Sequence, residues 1–232
     1  MSDAEPSMSS RYEALRKSFD DAVEASGADP GGITFVAVSK RQPLAGIKEA
    51  YKLGLRHFGE NQIQEAEPKV RASPDGIIWH LVGHLQKNKV RRAVKLFPII
   101  HSIDSLSLLH RVNDIAGQER VCPEVLLQVN LALDPDKHGF HPDAVMPVLE
   151  SALIMKNLKC TGLMGVPPEG SDAEKAGEYF QGMAELVERF RSVFPQWPGK
   201  LSMGMSDDFE LAVAKGSNFV RVGSALFGQR QV

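Results

Sequence analysis

The stretch Ile33–Lys40, ITFVAVSK, is apolar and β-branched on both faces until its last two residues. That is the composition of a strand buried between helices in a parallel sheet. Before it, Tyr12, Leu15, Phe19, Ala22 and Val23 recur at helical spacing with Gly27 as a stop, which predicts a helix over Arg11–Ala25. After it, Pro43 opens a helical stretch carrying Leu44, Ile47, Ala50 and Tyr51 that ends near Gly54. The alternation continues, with strands expected at His57–Asn61, Trp79–His84, Ile99–Asp104, Glu124–Leu131, Lys159–Val166, Lys200–Ser206 and Phe219–Val222. Helices are expected between them around Gln64–Arg71, Lys87–Leu96, Leu106–Gln118, Pro142–Leu153, Lys175–Phe194 and Asp208–Lys215. With Ile33–Lys40 this makes eight strands, each joined to the next by a helix. Such a pattern predicts an α/β protein with a parallel sheet. Eight units within 232 residues favour a single closed (β/α)8 TIM barrel over an open doubly wound sheet. Too few residues follow Phe219–Val222 for a full covering helix, so the extra N-terminal helix at Arg11–Ala25 is expected to cover that gap. Residues 1–9, MSDAEPSMS, have little to bury and read as a flexible tail, leaving 10–232 as one domain.

The 27 Lys and Arg against 29 Asp and Glu leave a net charge of −2. A nucleic-acid partner is not expected, because the long-range attraction to phosphate is missing. Cys122 and Cys160 lack zinc-like or redox spacing and suit a reducing compartment. The polar, acidic start resembles no signal peptide, and no apolar run is long enough for a bilayer. These features predict a cytoplasmic protein with no membrane partner.

Barrel chemistry sits at the C-terminal strand ends. Lys40 ends an apolar strand. Taken alone it reads as a solvated lysine snorkelling out of the sheet; desolvated in the mouth, its amine becomes nucleophilic toward carbonyls. Barrels often bind phosphate after the seventh and eighth strands, where Ser206, Gly223 and Ser224 fall. The same glycine also fits a plain turn, but beside Lys40 the phosphate reading gains weight. Arg221, two residues before Gly223, shares its side of the strand and points at the mouth, to meet an anion or acceptor nitrogen, or to pair with Glu60 or Asp104. His80 and His84 lie about 13 Å apart on a strand at about 3.3 Å per residue, so they cannot share an ion; no metal is expected, and His80 reads as a packed or hydrogen-bonded barrel residue. The basic run QKNKVRRAVK (Gln86–Lys95) reads as a solvated helix face, or more weakly as an anion or partner patch.

FVAVSK (Phe35–Lys40), HFGENQIQE (His57–Glu65), WHLVGHLQKNK (Trp79–Lys89), HSID (His101–Asp104), GLMGV (Gly162–Val166) and LSMGMSDDFELAVAKGSNFVRVGSALFG (Leu201–Gly228) together resemble one family. It is the pyridoxal phosphate homeostasis protein family, also called YggS/PROSC, and the likeness runs from about Arg11 to Arg230. The resemblance implies a fold-type III barrel like the alanine racemase N-terminal domain, with pyridoxal 5′-phosphate as a Schiff base on Lys40. It implies phosphate ligands at Ser206, Gly223 and Ser224, Arg221 facing the pyridine nitrogen, Asn61 beside the cofactor, and Met203 and His80 in the nearby wall. Ser224 stands where many relatives have threonine, which keeps the hydroxyl.

An arginine stays protonated and only donates, so the pyridine nitrogen opposite it must accept, which weakens the ring as an electron sink. The expectation is therefore a cofactor carrier in vitamin B6 and amino-acid/keto-acid balance rather than an enzyme. It would supply apo-enzymes and act as a monomer. A weak standalone racemase, or a Schiff-base aldolase-type barrel on a phosphorylated substrate, are the alternatives. Racemisation needs an acid/base pair on opposite faces of the substrate, and the only tyrosines, Tyr12, Tyr51 and Tyr179, fall on expected helices.

Overall fold

The computed structural model describes residues 6–228 and closes eight parallel strands into a barrel in sequence order. The strands are β1 (Thr34–Val38), β2 (His57–Glu60), β3 (Ile78–Leu81), β4 (Ile99–Ile103), β5 (Glu124–Gln128), β6 (Lys159–Met164), β7 (Lys200–Ser202) and β8 (Phe219–Val222). β1 pairs with both β2 and β8, with Val36 opposite Arg221, so no sheet edge is left exposed. The helices are α1 (Met8–Ser26), α2 (Leu44–Lys52), α3 (Ile63–Ala72), α4 (Val90–Leu96), α5 (Leu106–Glu119), α6 (Val145–Leu153), α7 (Ala173–Val193), α8 (Phe209–Ala214) and α9 (Ser224–Phe227). Among the described residues, no helix is long and apolar enough to cross a membrane.

The helices form for local reasons and then bury one stripe against the barrel. In α7, the Asp172 carboxylate accepts from the Lys175 amide at the first turn. Tyr179, Phe180, Met183, Leu186, Val187 and Phe190 then fall on one buried face at the three- and four-residue spacing of a helix. The expected N-terminal helix is α1, which packs on α8 and on the single turn α9 beyond β8. It begins earlier than the expected tail allows: Ser7 Oγ accepts from the Ser10 amide, and Met8 is buried among the core residues. Of the tail assigned to 1–9, residues 1–5 lie outside the described residues.

Every expected strand is found, but all except β8 were expected to run further toward the mouth. The excess lies at the C-terminal ends, where Ser39-Lys40, Asn61 and Asp104, among others, belong to the loops that follow the ladder. Inside the barrel, Val36, Ile99, Leu126, Met164 and Phe219 form a small apolar cluster. Buried among the strands beside it are His80, His101, Ser202 and Arg221.

Candidate functional site

Lys40, Asn61, Ser206, Arg221, Gly223 and Ser224 line one cavity of about 390 Å³ at the C-terminal ends of β1, β2, β7 and β8. Val38, Val82, Val166 and Met205 supply its apolar walls, and exposed Asp207 stands at its lip. Six of the eight residues expected at the site are thus brought together. The other two are not part of the wall. Met203 is fully buried in the core outside the cavity, and His80 is fully buried on β3 inside the barrel.

Lys40 rides on a braced turn. Ser39 is buried, its amide donates to the Gly59 carbonyl, and its hydroxyl donates to Glu60 Oε1 at 2.6 Å. Arg41, on the other side, has φ 60°, a left-handed conformation that costs a side-chain-bearing residue energy, and its amide donates to the Glu65 carboxylate. One ammonium ties these groups together. Buried Lys69 on α3 donates to the Ser39 carbonyl at 2.7 Å, to Glu60 Oε1 at 2.8 Å and to Glu65 Oε1 at 2.7 Å. Burial pushes the Glu60 carboxyl up against the pull of Lys69 and Ser39, and its Oε2 has no hydrogen-bond partner. The spacing Glu65–Lys69 on an expected helix is the only visible trace of this brace in the sequence.

Across the cavity, hydrogen-bonding groups crowd around one oxygen. The amides of Gly223 and Ala225 donate to Ser206 Oγ at 3.2 and 3.4 Å, and Ser224 Oγ lies 3.2 Å from it. Hydroxyls and backbone amides converging in this way suit an anion carried on oxygen, such as a phosphate. A Cβ at Gly223 would stand 3.3 Å from the Val38 carbonyl oxygen, a tight contact where β8 passes close to β1.

Arg221 pairs with neither Glu60 nor Asp104. It donates through Nη1 to Ser202 Oγ at 2.6 Å and through Nη2 to the Gly165 carbonyl at 3.0 Å. Burial lowers its pKa to about 10, which still leaves the guanidinium charged at neutral pH.

Behind it runs a chain through the barrel: Ser202 Oγ to His101 Nδ1 at 2.7 Å, His101 Nε2 to His80 Nδ1 at 2.8 Å, and His80 Nε2 to His57 Nδ1 at 2.9 Å. A guanidinium only donates, so Ser202 accepts from Arg221 and its own proton is free for His101. Carried down the chain, this orientation gives each of these links one donor and one acceptor and makes each ring neutral, with its proton on Nε2. Burial favours the same state. It holds His101 well below the usual histidine range and, with His57 and Lys200 adding repulsion, pushes His80 down to about 3. His80 is thus the packed, hydrogen-bonded barrel residue its sequence position suggests rather than the wall residue the resemblance implies; His101 has no expected role, because only barrel closure places four strands' side chains in one line.

The basic run is differently occupied. Arg91 and Lys95 pair with Glu119 on α5, and Arg92 pairs with Glu67 on α3. These contacts engage the face as surface ion pairs rather than presenting three more cations to a partner.

Residues 23–231 match the model of the family described as alanine racemase, N-terminal domain. The pyridoxal phosphate homeostasis protein of Vibrio alginolyticus is 38% identical over 209 residues, covering 88% of this chain and 89% of the relative. That of Escherichia coli is 35% identical over 220 residues, covering 93% and 94%. The structure of PipY from Synechococcus elongatus with PLP bound superposes with a TM-score of 0.84 at 38% identity, covering 96% of this chain and 100% of PipY. An alanine racemase of Clostridium difficile shares the fold, with a TM-score of 0.68 at 15% identity over 93% of this chain and 56% of that one. The chain belongs to the pyridoxal phosphate homeostasis protein family, built on the alanine racemase N-terminal-domain barrel.

Proposed function

We propose that this chain holds pyridoxal 5′-phosphate at the mouth formed by β1, β2, β7 and β8, and acts in vitamin B6 homeostasis by keeping the cofactor bound and releasing it to apo-enzymes. One observation carries the reading: an amine on a braced turn and a cluster of oxyanion donors share a single cavity. The bound cofactor would supply an aldehyde for the Lys40 amine and a phosphate for the Ser206, Gly223 and Ser224 donors. The relatives' names and the PLP-bound PipY structure support it.

Arg221 argues for holding over turnover. With the cofactor bound, a charged guanidinium facing the ring nitrogen would donate to it and keep it unprotonated, which would remove most of the electron-withdrawing power that transamination and decarboxylation need. The tyrosines that a racemase could use as acid or base lie elsewhere. Tyr51 donates to the Asp75 carbonyl, Tyr179 is buried and donates to the Val129 carbonyl, and Tyr12 borders a separate hollow beside Phe19 and Phe35. Such a carrier belongs in the cytoplasm and works as a monomer with its mouth open to solvent.

Titration with pyridoxal phosphate, followed by visible absorbance, is expected to saturate at one cofactor per chain. Ser206→Ala removes the oxygen that orders the Gly223 and Ala225 amides. It should weaken binding about 10- to 100-fold, the range for losing hydrogen bonds to a charged group. The loaded protein should then reactivate an apo-enzyme that depends on the cofactor, while leaving D- and L-alanine uninterconverted. Interconversion that disappears in Lys40→Ala would establish a racemase instead.

A further inference from the structure

We infer that His84, Asp104 and His138 form a site for a divalent metal ion of the zinc class on the rim of the barrel. The three come from different strand ends: after β3, after β4, and from the loop after β5. His84 Nδ1 lies 2.9 Å and His138 Nδ1 3.8 Å from the same oxygen, Asp104 Oδ2. The two rings stack with centroids 3.9 Å apart and planes 12° from parallel. One ligand atom from each residue falls within 4.8 Å of the other two.

Hydrogen bonding explains half of this arrangement. At 2.9 Å the His84 ring can donate to the carboxylate, but at 3.8 Å the His138 nitrogen is beyond hydrogen-bond range. A shared ion would draw both rings toward the same carboxylate oxygen. Metal–ligand bonds of about 2.0–2.2 Å at angles of roughly 90–110° put neighbouring ligand atoms about 2.9–3.5 Å apart. The His84–Asp104 pair already meets that spacing; His138 must close on Asp104 by a few tenths of an ångström, and the two rings must swing out of their stack so that both nitrogens point at the ion. Two imidazole nitrogens with one carboxylate oxygen suit zinc and its first-row neighbours, whereas calcium and magnesium want oxygen alone. The histidine side chains are 40% and 61% exposed, so the outward coordination positions open to water.

The backbones that carry the ligands are held in advance. Ser102 Oγ donates to the Gly83 carbonyl, directly before His84, at 2.7 Å. Gln128 Nε2 donates to the His138 carbonyl at 2.9 Å, and Asn130 Nδ2 donates to the Lys137 carbonyl at 3.2 Å. The site also abuts the cavity described above, since a Cβ on Gly83 would stand 2.4 Å from the Asn61 carbonyl oxygen. It uses none of the residues that line that cavity, so it does not rest on the cofactor reading.

The test is zinc binding by metal-stripped protein, in competition with a chromophoric chelator. It is done in a Cys122→Ser background because that exposed thiol is a rival ligand. One zinc ion per chain is expected, not displaced by magnesium, with affinity at least ten-fold weaker in His84→Gln and in His138→Gln. Circular dichroism and the cofactor titration report that both variants are folded. No saturable binding, or binding that both substitutions leave unchanged, overturns the inference.

Discussion

Lowering the pH from 6.5 to 5 is expected to remove about 3 kcal/mol of folding stability through His80 and His101 alone. Both rings are fully buried and are held neutral in the fold, with pKa values pushed far below the ordinary 6.5. In the unfolded chain they protonate near 6.5, so below that pH the unfolded state binds more protons. Stability falls by about 1.4 kcal/mol per pH unit for each ring, and this continues until the folded pKa is reached, near 3 for His80. At pH 6.5 the slope has half this value, and above about pH 7.5 the two rings contribute almost none. Glu60 acts in the opposite direction, because a carboxyl held above its usual range gains stability as it protonates. Urea midpoints at pH 7.5, 6.5, 5.5 and 5.0 give the profile. His101→Gln keeps an acceptor for Ser202 and a donor for His80 but takes up no proton, so it should roughly halve the slope. An unchanged slope in that variant would place the acid sensitivity elsewhere.

Lys69→Met is expected to cost about 3–5 kcal/mol, the range for breaking a buried ion pair by removing one partner. Glu60 is completely buried and one of its oxygens already lacks a partner. Without the ammonium its charge stays desolvated, and the Ser39 carbonyl and Glu65 lose a donor as well. The damage should reach the cofactor, because these contacts brace the turn that carries Lys40. Adding Glu60→Gln to Lys69→Met removes the stranded charge and should recover most of the stability in urea unfolding. It should recover less of the cofactor affinity, since the brace to Ser39 stays broken. Equal recovery of both would separate Lys69 from the positioning of Lys40.

Much of this architecture is legible in the amino-acid sequence. Apolar strands such as ITFVAVSK, alternating with helical stretches, define the barrel, and polar residues at their ends mark the mouth. The expected strand ends overshoot because hydrophobicity does not show where the ladder stops: Ser39-Lys40 and Asp104 follow apolar runs but turn out of the sheet. Lys40, Ser206, Arg221 and Gly223 are accessible because each sits at a strand end whose place in the barrel can be counted. Lys69 is not, because a charged helix residue looks solvated until α3 folds over the Ser39–Arg41 turn. The line from Arg221 to His57, and the meeting of His84 with Asp104 and His138, join residues 19 or more positions apart through closure of the sheet. Spacing along one strand therefore excludes a metal shared by His80 and His84, yet says nothing of partners on other loops.

The most direct measurement is borohydride reduction of the protein saturated with pyridoxal phosphate, followed by peptide mass mapping. Reduction fixes the cofactor to whichever amine holds it. A single label on the peptide carrying Lys40, absent in Lys40→Ala, is the expected result. A label on Lys69 or on surface lysines instead, or none at saturation, would contradict the assignment of this mouth as the cofactor's seat.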